Sequence, residues 1–478
     1  MQLILLLLAG AVVLDLLARP RPTHSRLLRS MAGAWLLLLL AGALFGAWQA
    51  IIGNALASLA LSLAVISLFT MVSNAKHIML GEPLLFTDLA LLKGVFRHPQ
   101  FYFSALSTAQ KGALALAVPA VPGLVYWLFR CDAEAHLAGL ATLAGSLALL
   151  KVSFSLLPWA GLVVTPEPQT DVERHGLLAS MLLYWIKWRG SEPPAPVAPI
   201  TSRPSPGELA VLVQCESFAD PAELFGDPSL MLPGLAAARS QAWQWGNLMV
   251  SGFGAYTMRT EYGVLFGRGE VELGFRRFDP FLTATAEASF ALPNRLAEGG
   301  WRSLFVHPHD MRFYNRAEIM TAAGFAELVG EERFAPPGPG DGRYVSDAAM
   351  AEGIMDLACE AQDPTLIYSV TIENHGPWET TTPGGDLALG YLHMVRKGDA
   401  MLATLMAGLA KLERPVTLVF FGDHRPSIPS ISMPGGDRHT PYVIIRIDER
   451  GQAVPGLNRR VDITPAQLHH CLLDLWAA

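Results

Sequence analysis

Five long apolar runs in the first third of the sequence constrain its fold more than any other feature. They are 2–18, Ala32–Ala50, Leu56–Val72, Gly112–Phe129 and Leu137–Leu156. Each approaches the roughly 20 residues that an α-helix needs to cross a bilayer. One such run could be a buried core helix, but five together, in a chain that is 51% hydrophobic and 16% charged, predict membrane helices. We therefore expect residues 1–157 to form a transmembrane domain of about five helices.

The loop after the first run creates a conflict over membrane orientation. It contains four basic residues, Arg19, Arg21, Arg26 and Arg29. Basic loops usually stay in the cytoplasm, and an odd number of helices would then leave everything after residue 157 in the cytoplasm as well. The chemistry inferred below favours the opposite side of the membrane. The charge rule and the chemistry therefore disagree.

A change in composition marks the boundary between two domains. Within residues 158–206, Leu177–Trp188 has the pattern of an amphipathic helix at the membrane surface. The following segment, Ser191–Pro206, holds six prolines in sixteen residues. Such a composition favours a semi-rigid extended linker that belongs to no core. We expect residues 207–478 to form a separate soluble domain.

Alternating strand and helix patterns predict an α/β fold for residues 207–478. Five short apolar runs are typical of buried parallel strands, namely Leu209–Val213, Ser303–Val306, Leu366–Val370, Thr417–Phe421 and Tyr442–Ile445. Helical patterns lie between several of them, including Pro293–Glu298 and Ala348–Glu360. Alternation of this kind indicates a sheet with helices on both faces, whose ligand site forms at the carboxyl ends of the strands.

Ionisable residues follow three of these predicted strands. Glu216 follows the first run, His375 follows the third, and Asp423-His424 follow the fourth. Together with a hydroxyl, two carboxylates and one imidazole form a plausible four-ligand set for a divalent metal. Mostly oxygen ligands suit manganese or magnesium, and the histidine also admits zinc. Alternatively, Glu216 could form a strand-end salt bridge, and Asp423-His424 could belong to a simple turn.

The stretch SGFGAYTMRTEY, Ser251–Tyr262, contains the candidate nucleophile. Its glycines allow unusual backbone conformations, and Thr257 lies where a loop gives way to a predicted helix. A hydroxyl at a helix N-terminus is well placed to receive phosphate, and a nearby metal would lower its pKa. The alternative interpretation is that Thr257 only caps the helix.

These motifs, taken in order, resemble lipoteichoic acid synthase and the related phosphoglycerol transferases of the alkaline phosphatase and sulfatase superfamily. The resemblance covers the whole chain. It depends on Glu216, Thr257 four residues before Glu261, Tyr314-Asn315-Arg316, Asn374-His375, and Gly422-Asp423-His424. The glycine-rich loop otherwise differs from that of the synthase, with Tyr256 before the threonine.

The resemblance implies a role for each matching residue. Thr257 would be the nucleophile and a metal ligand, and Glu216, Asp423 and His424 would complete a metal site, with Mn²⁺ as the expected ion and Mg²⁺ or Zn²⁺ as alternatives. A second group would hold the phosphoglycerol head group, namely Arg316, Tyr314 and His375. His375 could also protonate a leaving group or activate an acceptor, and His307 could line the pocket.

The implied function is a multi-pass enzyme of a bacterial plasma membrane with an extracytoplasmic catalytic domain. Phosphatidylglycerol would be the donor, and an envelope glycan or polymer the acceptor. A phosphoethanolamine transferase and a phosphate or sulfate ester hydrolase remain alternatives on the same fold, as does an inactive membrane scaffold. None of the four cysteines begins the C-x-P-x-R pattern of sulfatases, and the net charge of −7 gives no indication of nucleic acid binding.

Overall fold

The computed structural model describes residues 2–22, 28–91, 112, 115, 123–156, 159–338, 342–378, 386–456 and 458–477. The chain divides into two compact units, Met1–Ser191 and Glu192–Ala478. The proline-rich segment therefore belongs with the second unit. It has no regular secondary structure, and the backbone N–H of Ile200 donates to the Arg295 carbonyl at 2.7 Å.

The N-terminal unit is helical throughout its described core. Its helices are α1 (Gln2–Leu17), α2 (Met31–Ile52), α3 (Ala55–Leu80), α4 (Ala133–Leu156), α5 (Pro168–His175) and α6 (Leu177–Arg189). Three of these, α2, α3 and α4, are long and apolar enough to cross a membrane. Helix α1 has only 16 residues, and the fourth predicted run, Gly112–Phe129, lies largely outside the described residues. The described residues thus supply three of the five predicted spans at full length.

Arg29 is a structural residue inside this unit, although the sequence placed it with the basic loop. Its Nε lies 3.2 Å from Asp15 Oδ2, and the side chain is only 5% exposed. Its Nη2 donates to the carbonyls of Asp15 and Ala18, which lie at the C-terminal end of α1. Asp15 also accepts from the N–H of Leu177 at the start of α6. The Arg29 side chain is therefore buried and paired inside the N-terminal unit. It is weaker evidence for a cytoplasmic loop than an exposed basic residue would be.

The C-terminal unit contains a seven-stranded sheet in the order β2-β7-β6-β1-β5-β3-β4. The strands are β1 (Leu209–Cys215), β2 (Gln244–Leu248), β3 (Arg302–Val306), β4 (Glu327–Val329), β5 (Thr365–Val370), β6 (Val416–Gly422) and β7 (Thr440–Ile447). All five predicted runs lie within strands. The short strands β2 and β4 were not predicted, because β2 carries polar residues and β4 has only three residues.

One strand runs against the predicted direction. Strands β6, β1, β5, β3 and β4 are mutually parallel, whereas β7 is antiparallel to both β6 and β2. The prediction that Tyr442–Ile445 forms a parallel strand is therefore wrong. The described connection from β6 to β7 contains no helix, and a parallel neighbour requires a crossover that is usually helical.

Helices cover the sheet and complete the α/β fold. They are α7 (Pro221–Leu224), α8 (Pro233–Gln241), α9 (Thr257–Phe266), α10 (Glu270–Leu273), α11 (Leu292–Leu296), α12 (Arg316–Ala322), α13 (Asp347–Glu360), α14 (Leu387–Leu409) and α15 (Pro465–Ala477). The predicted helices appear as α11 and α13. Helix α13 begins where predicted because the Ser346 hydroxyl accepts from the N–H of Ala349 as an N-cap.

The pairing of β1 with β6 positions the residues that follow both strands. Cys215 and Gly422 are partners in the parallel register, so Glu216 and Asp423 leave the sheet side by side. A side chain at position 422 would place its Cβ 1.9 Å from the Phe218 carbonyl oxygen. Glycine is therefore required for the close approach of the two chain segments at this point.

Candidate active site

Four adjacent strands deliver their next residues to one edge of the sheet. In spatial order β6, β1, β5 and β3 are neighbours. They are followed by Asp423-His424, Glu216, the segment leading to His375, and His307, respectively. The structure thus brings together residues that are up to 208 positions apart, in agreement with the rule that sites form at the carboxyl ends of parallel strands.

Three of the predicted metal ligands form a compact cluster. One ligand atom each from Glu216, Asp423 and His424 lies within 4.8 Å of the other two. His424 Nε2 is 3.5 Å from both Glu216 Oε1 and Asp423 Oδ2. All three side chains are buried, so their charges are poorly screened by water.

The Asp423 carboxylate is only half satisfied by the protein. Its Oδ1 accepts from the backbone N–H groups of Ser217 and His424, each at 2.8 Å. Its Oδ2 is buried and has no hydrogen-bond partner among the described residues. Burial, and then the charge of Glu216, raise the pKa of Asp423 to about 6. A buried carboxylate oxygen without a donor, beside a second carboxylate, is unfavourable unless a cation lies between them. The cluster therefore fits a divalent metal.

Thr257 is the first residue of helix α9 and faces this cluster. The N-cap is Tyr256, whose backbone is left-handed with φ of 76°, so the interpretation of Thr257 as a cap is wrong. The Thr257 hydroxyl interacts with the Asp423 carboxylate and lowers its pKa, without completing a hydrogen bond to Oδ2. Thr260 points differently, because its hydroxyl donates to the Asp423 backbone carbonyl at 2.6 Å.

The glycine-rich loop is held against the strand end that carries the cluster. The N–H of Gly254 donates to the Arg425 carbonyl at 2.8 Å, and Phe253 bridges to Arg425. Gly254 has φ of 62°, a conformation that side chains disfavour. The loop thereby fixes the start of α9, and with it Thr257, relative to Asp423 and His424.

The guanidinium group of Arg316 is occupied by contacts within the protein. Its Nε and Nη2 donate to the two carboxylate oxygens of Glu261, at 3.1 and 2.7 Å. Its Nη1 lies 3.3 Å from His307 Nε2. The Arg316 guanidinium carbon is 5.2 Å from the ring centroid of Tyr314, the residue predicted to pack beside it. The sequence analysis predicted that Arg316 binds the head group of the donor. In the structure its two-nitrogen contact is made to the Glu261 carboxylate instead.

His307 is buried and contacts the Arg316 side chain. Its Nδ1 donates to the Val370 carbonyl at 3.0 Å, which leaves Nε2 to accept from Arg316. Burial, and then the charge of Arg316, lower the pKa of His307 well below its usual range. The ring is therefore neutral at neutral pH. His307 therefore packs against the Arg316 side chain in the protein interior and is not open to the pocket.

The His375 side chain is neutral at neutral pH. Its Nδ1 lies 2.8 Å from the Gly376 carbonyl and donates to it, so Nε2 is the acceptor nitrogen of the ring. Burial is the largest cause that lowers the pKa of His375 to about 4, and the charges of His424 and Arg343 add to it. The Asn374 side chain donates to the Ser217 carbonyl at 3.3 Å, which places the residue before His375 against the residue after Glu216.

Tyr344 and Arg343 border the same site and were not predicted. The Tyr344 ring centroid lies 6.0 Å from that of His375 and 6.1 Å from that of His309, with edge-on geometry in both pairs. Burial raises the pKa of Tyr344 to about 12, and Glu216 contributes to the rise. The sequence offered no signal for either residue, because both precede helix α13 instead of following a strand.

The buried Glu261–Arg316 pair is expected to matter strongly for stability. Glu261→Gln would leave the Arg316 charge buried without its partner, which typically costs roughly 3–5 kcal/mol. The control is Glu327→Gln, which breaks an exposed pair of the same type with Arg302 and should cost under about 1 kcal/mol. Denaturant unfolding of both variants measures the difference. Equal unfolding midpoints would show that the buried pair does not hold helices α9 and α12 together.

The chain is similar to several known proteins. A family model described as Sulfatase matches residues 208–472. The chain is 32% identical over 431 residues to the capsular polysaccharide biosynthesis protein RkpI of Rhizobium meliloti (strain 1021), a match that covers 84% of this chain and 79% of the relative. It is 27% identical over 235 residues to a putative cyclic beta-1,2-glucan modification protein of the same organism, covering 46% of this chain and 36% of that protein.

A solved structure is similar at low sequence identity. It is the Streptococcus pyogenes phosphoglycerol transferase GacH in complex with sn-glycerol-1-phosphate. The alignment has 17% identity and a TM-score of 0.44, and covers 58% of this chain and 76% of that one.

Proposed function

Because the chain belongs to the sulfatase family, we propose that it is a membrane-anchored, metal-dependent phosphotransferase with Thr257 as its nucleophile. The observation that carries the proposal is the convergence of Glu216, Asp423 and His424 beside the start of helix α9. A helix N-terminus attracts anions, and the adjacent carboxylates require a cation. A phosphate group bound at this position would contact both the helix N-terminus and the cation.

Each residue has a defined task in the proposed reaction. Glu216, Asp423 and His424 would hold the divalent cation, which is expected to be Mn²⁺, with Mg²⁺ or Zn²⁺ as alternatives. When bound, the cation would neutralise charge on the phosphate oxygens and lower the pKa of the Thr257 hydroxyl. Thr257 attacks phosphorus and gives up its hydroxyl proton, the bond from phosphorus to the donor's alcohol breaks, the alcohol oxygen leaves with a proton, and a covalent phosphothreonine diester remains.

His375 serves the second half of the reaction. Its neutral ring accepts a proton at Nε2 from the acceptor hydroxyl, and the acceptor oxygen attacks phosphorus as the Thr257 oxygen leaves. The donation from Nδ1 to the Gly376 carbonyl keeps the ring in the tautomer that this task needs. Arg316 contributes through Glu261, which lies one turn beyond Thr257 on the same face of helix α9.

The proposed donor is phosphatidylglycerol, and the proposed acceptor is an exported glycan. A lipid donor accounts for the N-terminal unit, with its three helices long enough to cross a membrane. The names of both Rhizobium relatives concern glycans, one a capsular polysaccharide and the other a cyclic glucan. We infer from these names that the hydroxyl acceptor is a cell-envelope carbohydrate. Diacylglycerol would be the released product.

The test is a transfer assay with purified full-length protein. Phosphatidylglycerol labelled in its head-group glycerol is incubated with protein, Mn²⁺ and a mixture of envelope glycans. We expect release of diacylglycerol and movement of the label into the glycan fraction. Release of free glycerol phosphate with no labelled glycan would indicate a hydrolase. No reaction in the presence of bound metal would exclude phosphatidylglycerol as the donor, and no reaction with phosphatidylethanolamine either would indicate an inactive scaffold.

Orientation gives a separate prediction. A glycan acceptor of this kind lies outside the cytoplasm, so the catalytic unit is proposed to be extracytoplasmic. An alkaline phosphatase fused after residue 478 should be active, and a green fluorescent protein at the same position should be dark. Fusions after Gly53, between α2 and α3, should show the reverse pattern if α1 enters from the cytoplasm. A bright C-terminal fluorescent fusion with a silent phosphatase fusion would overturn the orientation.

A further inference from the structure

Arg343 is an exposed cation beside the proposed catalytic residues. Its Nη2 donates to the Gly376 carbonyl at 3.2 Å, and the same carbonyl accepts from His375 Nδ1 at 2.8 Å. Its guanidinium carbon lies 4.6 Å from the ring centroid of Tyr344. Arg343 and His375 are therefore fixed to one another through a shared acceptor, and an aromatic ring orients the guanidinium.

Arg343 lacks an acidic partner in the part of the chain that the structure describes. Among the described residues it forms no ion pair, in contrast to Arg316, whose fork is closed by Glu261. Two acids on the segments that follow β3 and β5 are themselves paired. Asp310 contacts Arg312 at 2.7 Å, and Glu373 contacts Lys397 at 2.5 Å. Arg343 thus presents a cation beside His375 that has no acidic partner among the described residues.

We propose that Arg343 contacts the donor head group and selects glycerol phosphate over the cationic head group of phosphoethanolamine. This inference rests on the proposed transferase function and names the residue that sets its donor specificity. The guanidinium can donate hydrogen bonds to phosphate and hydroxyl oxygens. An ammonium group offers no acceptor to these donors and is repelled by the like charge.

Binding of soluble head groups tests the inference without turnover. Full-length protein in detergent, loaded with Mn²⁺, is titrated with sn-glycerol 1-phosphate, the stereoisomer of the phosphatidylglycerol head group, and with phosphoethanolamine by calorimetry. Arg343→Gln should weaken glycerol phosphate binding on the order of tenfold, the usual size of a lost charged hydrogen bond. Phosphoethanolamine binding should change less, so the preference for glycerol phosphate should fall. Arg343→Glu should reverse the preference, and Arg343→Lys should keep most of it.

The matched control is Arg302→Gln. Arg302 is also an exposed arginine, but it lies at the first residue of β3, whereas the site lies at the opposite end of that strand. This variant should bind both head groups like the wild type. An unchanged preference in Arg343→Gln, or an equal loss in Arg302→Gln, would overturn the assignment.

Turnover separates failure of this inference from failure of the proposed function. The same variants are assayed with phosphatidylglycerol and phosphatidylethanolamine as donors. If the wild type transfers from neither lipid, the proposed function fails, while the head-group preferences still decide the role of Arg343. If the wild type transfers from a lipid and Arg343→Gln leaves the ratio between the two donors unchanged, only the specificity assignment fails.

Discussion

Thr257→Ala is expected to abolish transfer while the catalytic unit remains folded. The hydroxyl at this position is the first group of helix α9 that meets the Glu216–Asp423–His424 cluster, and without it no covalent intermediate can form. Loss of an enzymatic nucleophile commonly lowers kcat by roughly 10⁴-fold or more. Thr257→Ser keeps a hydroxyl and should retain measurable activity, reduced because serine controls its rotamer less tightly.

Thr260→Ala is the matched control on the same helix. Its hydroxyl donates to the Asp423 carbonyl instead of entering the site, so its loss should cost about 1 kcal/mol of stability and leave most activity. Turnover and thermal unfolding of the three variants are measured together. A Thr257→Ala enzyme that turns over like Thr260→Ala would exclude Thr257 as the nucleophile.

Asp423→Ala should lose both bound metal and activity. Removing this carboxylate from the cluster should lower the metal affinity by at least about two orders of magnitude. The physical reason is the unsatisfied Oδ2, which faces Glu216 and His424 and has no other described partner. The fold should survive, because the variant also removes a buried like-charge contact with Glu216. Elemental analysis of the purified protein measures the metal content directly.

Asp399→Ala is the control for a buried aspartate outside the site. Asp399 accepts backbone hydrogen bonds from Gly234 and Leu235, at 2.8 and 2.6 Å, in the same manner as Asp423 accepts from Ser217 and His424. Its replacement should reduce stability but leave metal content unchanged. Stoichiometric metal in Asp423→Ala would remove that residue from the ligand set.

The central strands and the site edge are predictable from the sequence because both follow from simple rules. Buried parallel strands appear as continuous apolar runs, and polar residues placed directly after them converge in space. This reasoning places Glu216, His375 and Asp423-His424 at one edge of the sheet. It fails for the direction of Tyr442–Ile445, because apolar composition does not distinguish a parallel strand from an antiparallel one.

Ion pairing is the part of the site that the sequence could not reveal. Arg316 and Glu261 are 55 residues apart, and only the fold, which brings the first residue of α12 to helix α9, determines that the guanidinium meets a carboxylate rather than a ligand phosphate. The same holds for Arg343, which comes from a loop that no strand-end rule covers. In the N-terminal unit, Arg29 counts as a loop charge in the sequence but is a buried partner of Asp15 in the structure.

The most direct measurement of the central claim is peptide mapping of a trapped phosphoglyceryl adduct. Purified full-length protein is incubated with Mn²⁺ and phosphatidylglycerol in the absence of any glycan acceptor, then quenched in acid, digested and analysed by mass spectrometry. The proposed mechanism predicts a glycerol phosphate adduct on the peptide that contains Thr257, located on that residue by fragmentation. An adduct on Thr260 or Ser251, or transfer to glycan by an active Thr257→Ala enzyme with no adduct, would contradict it.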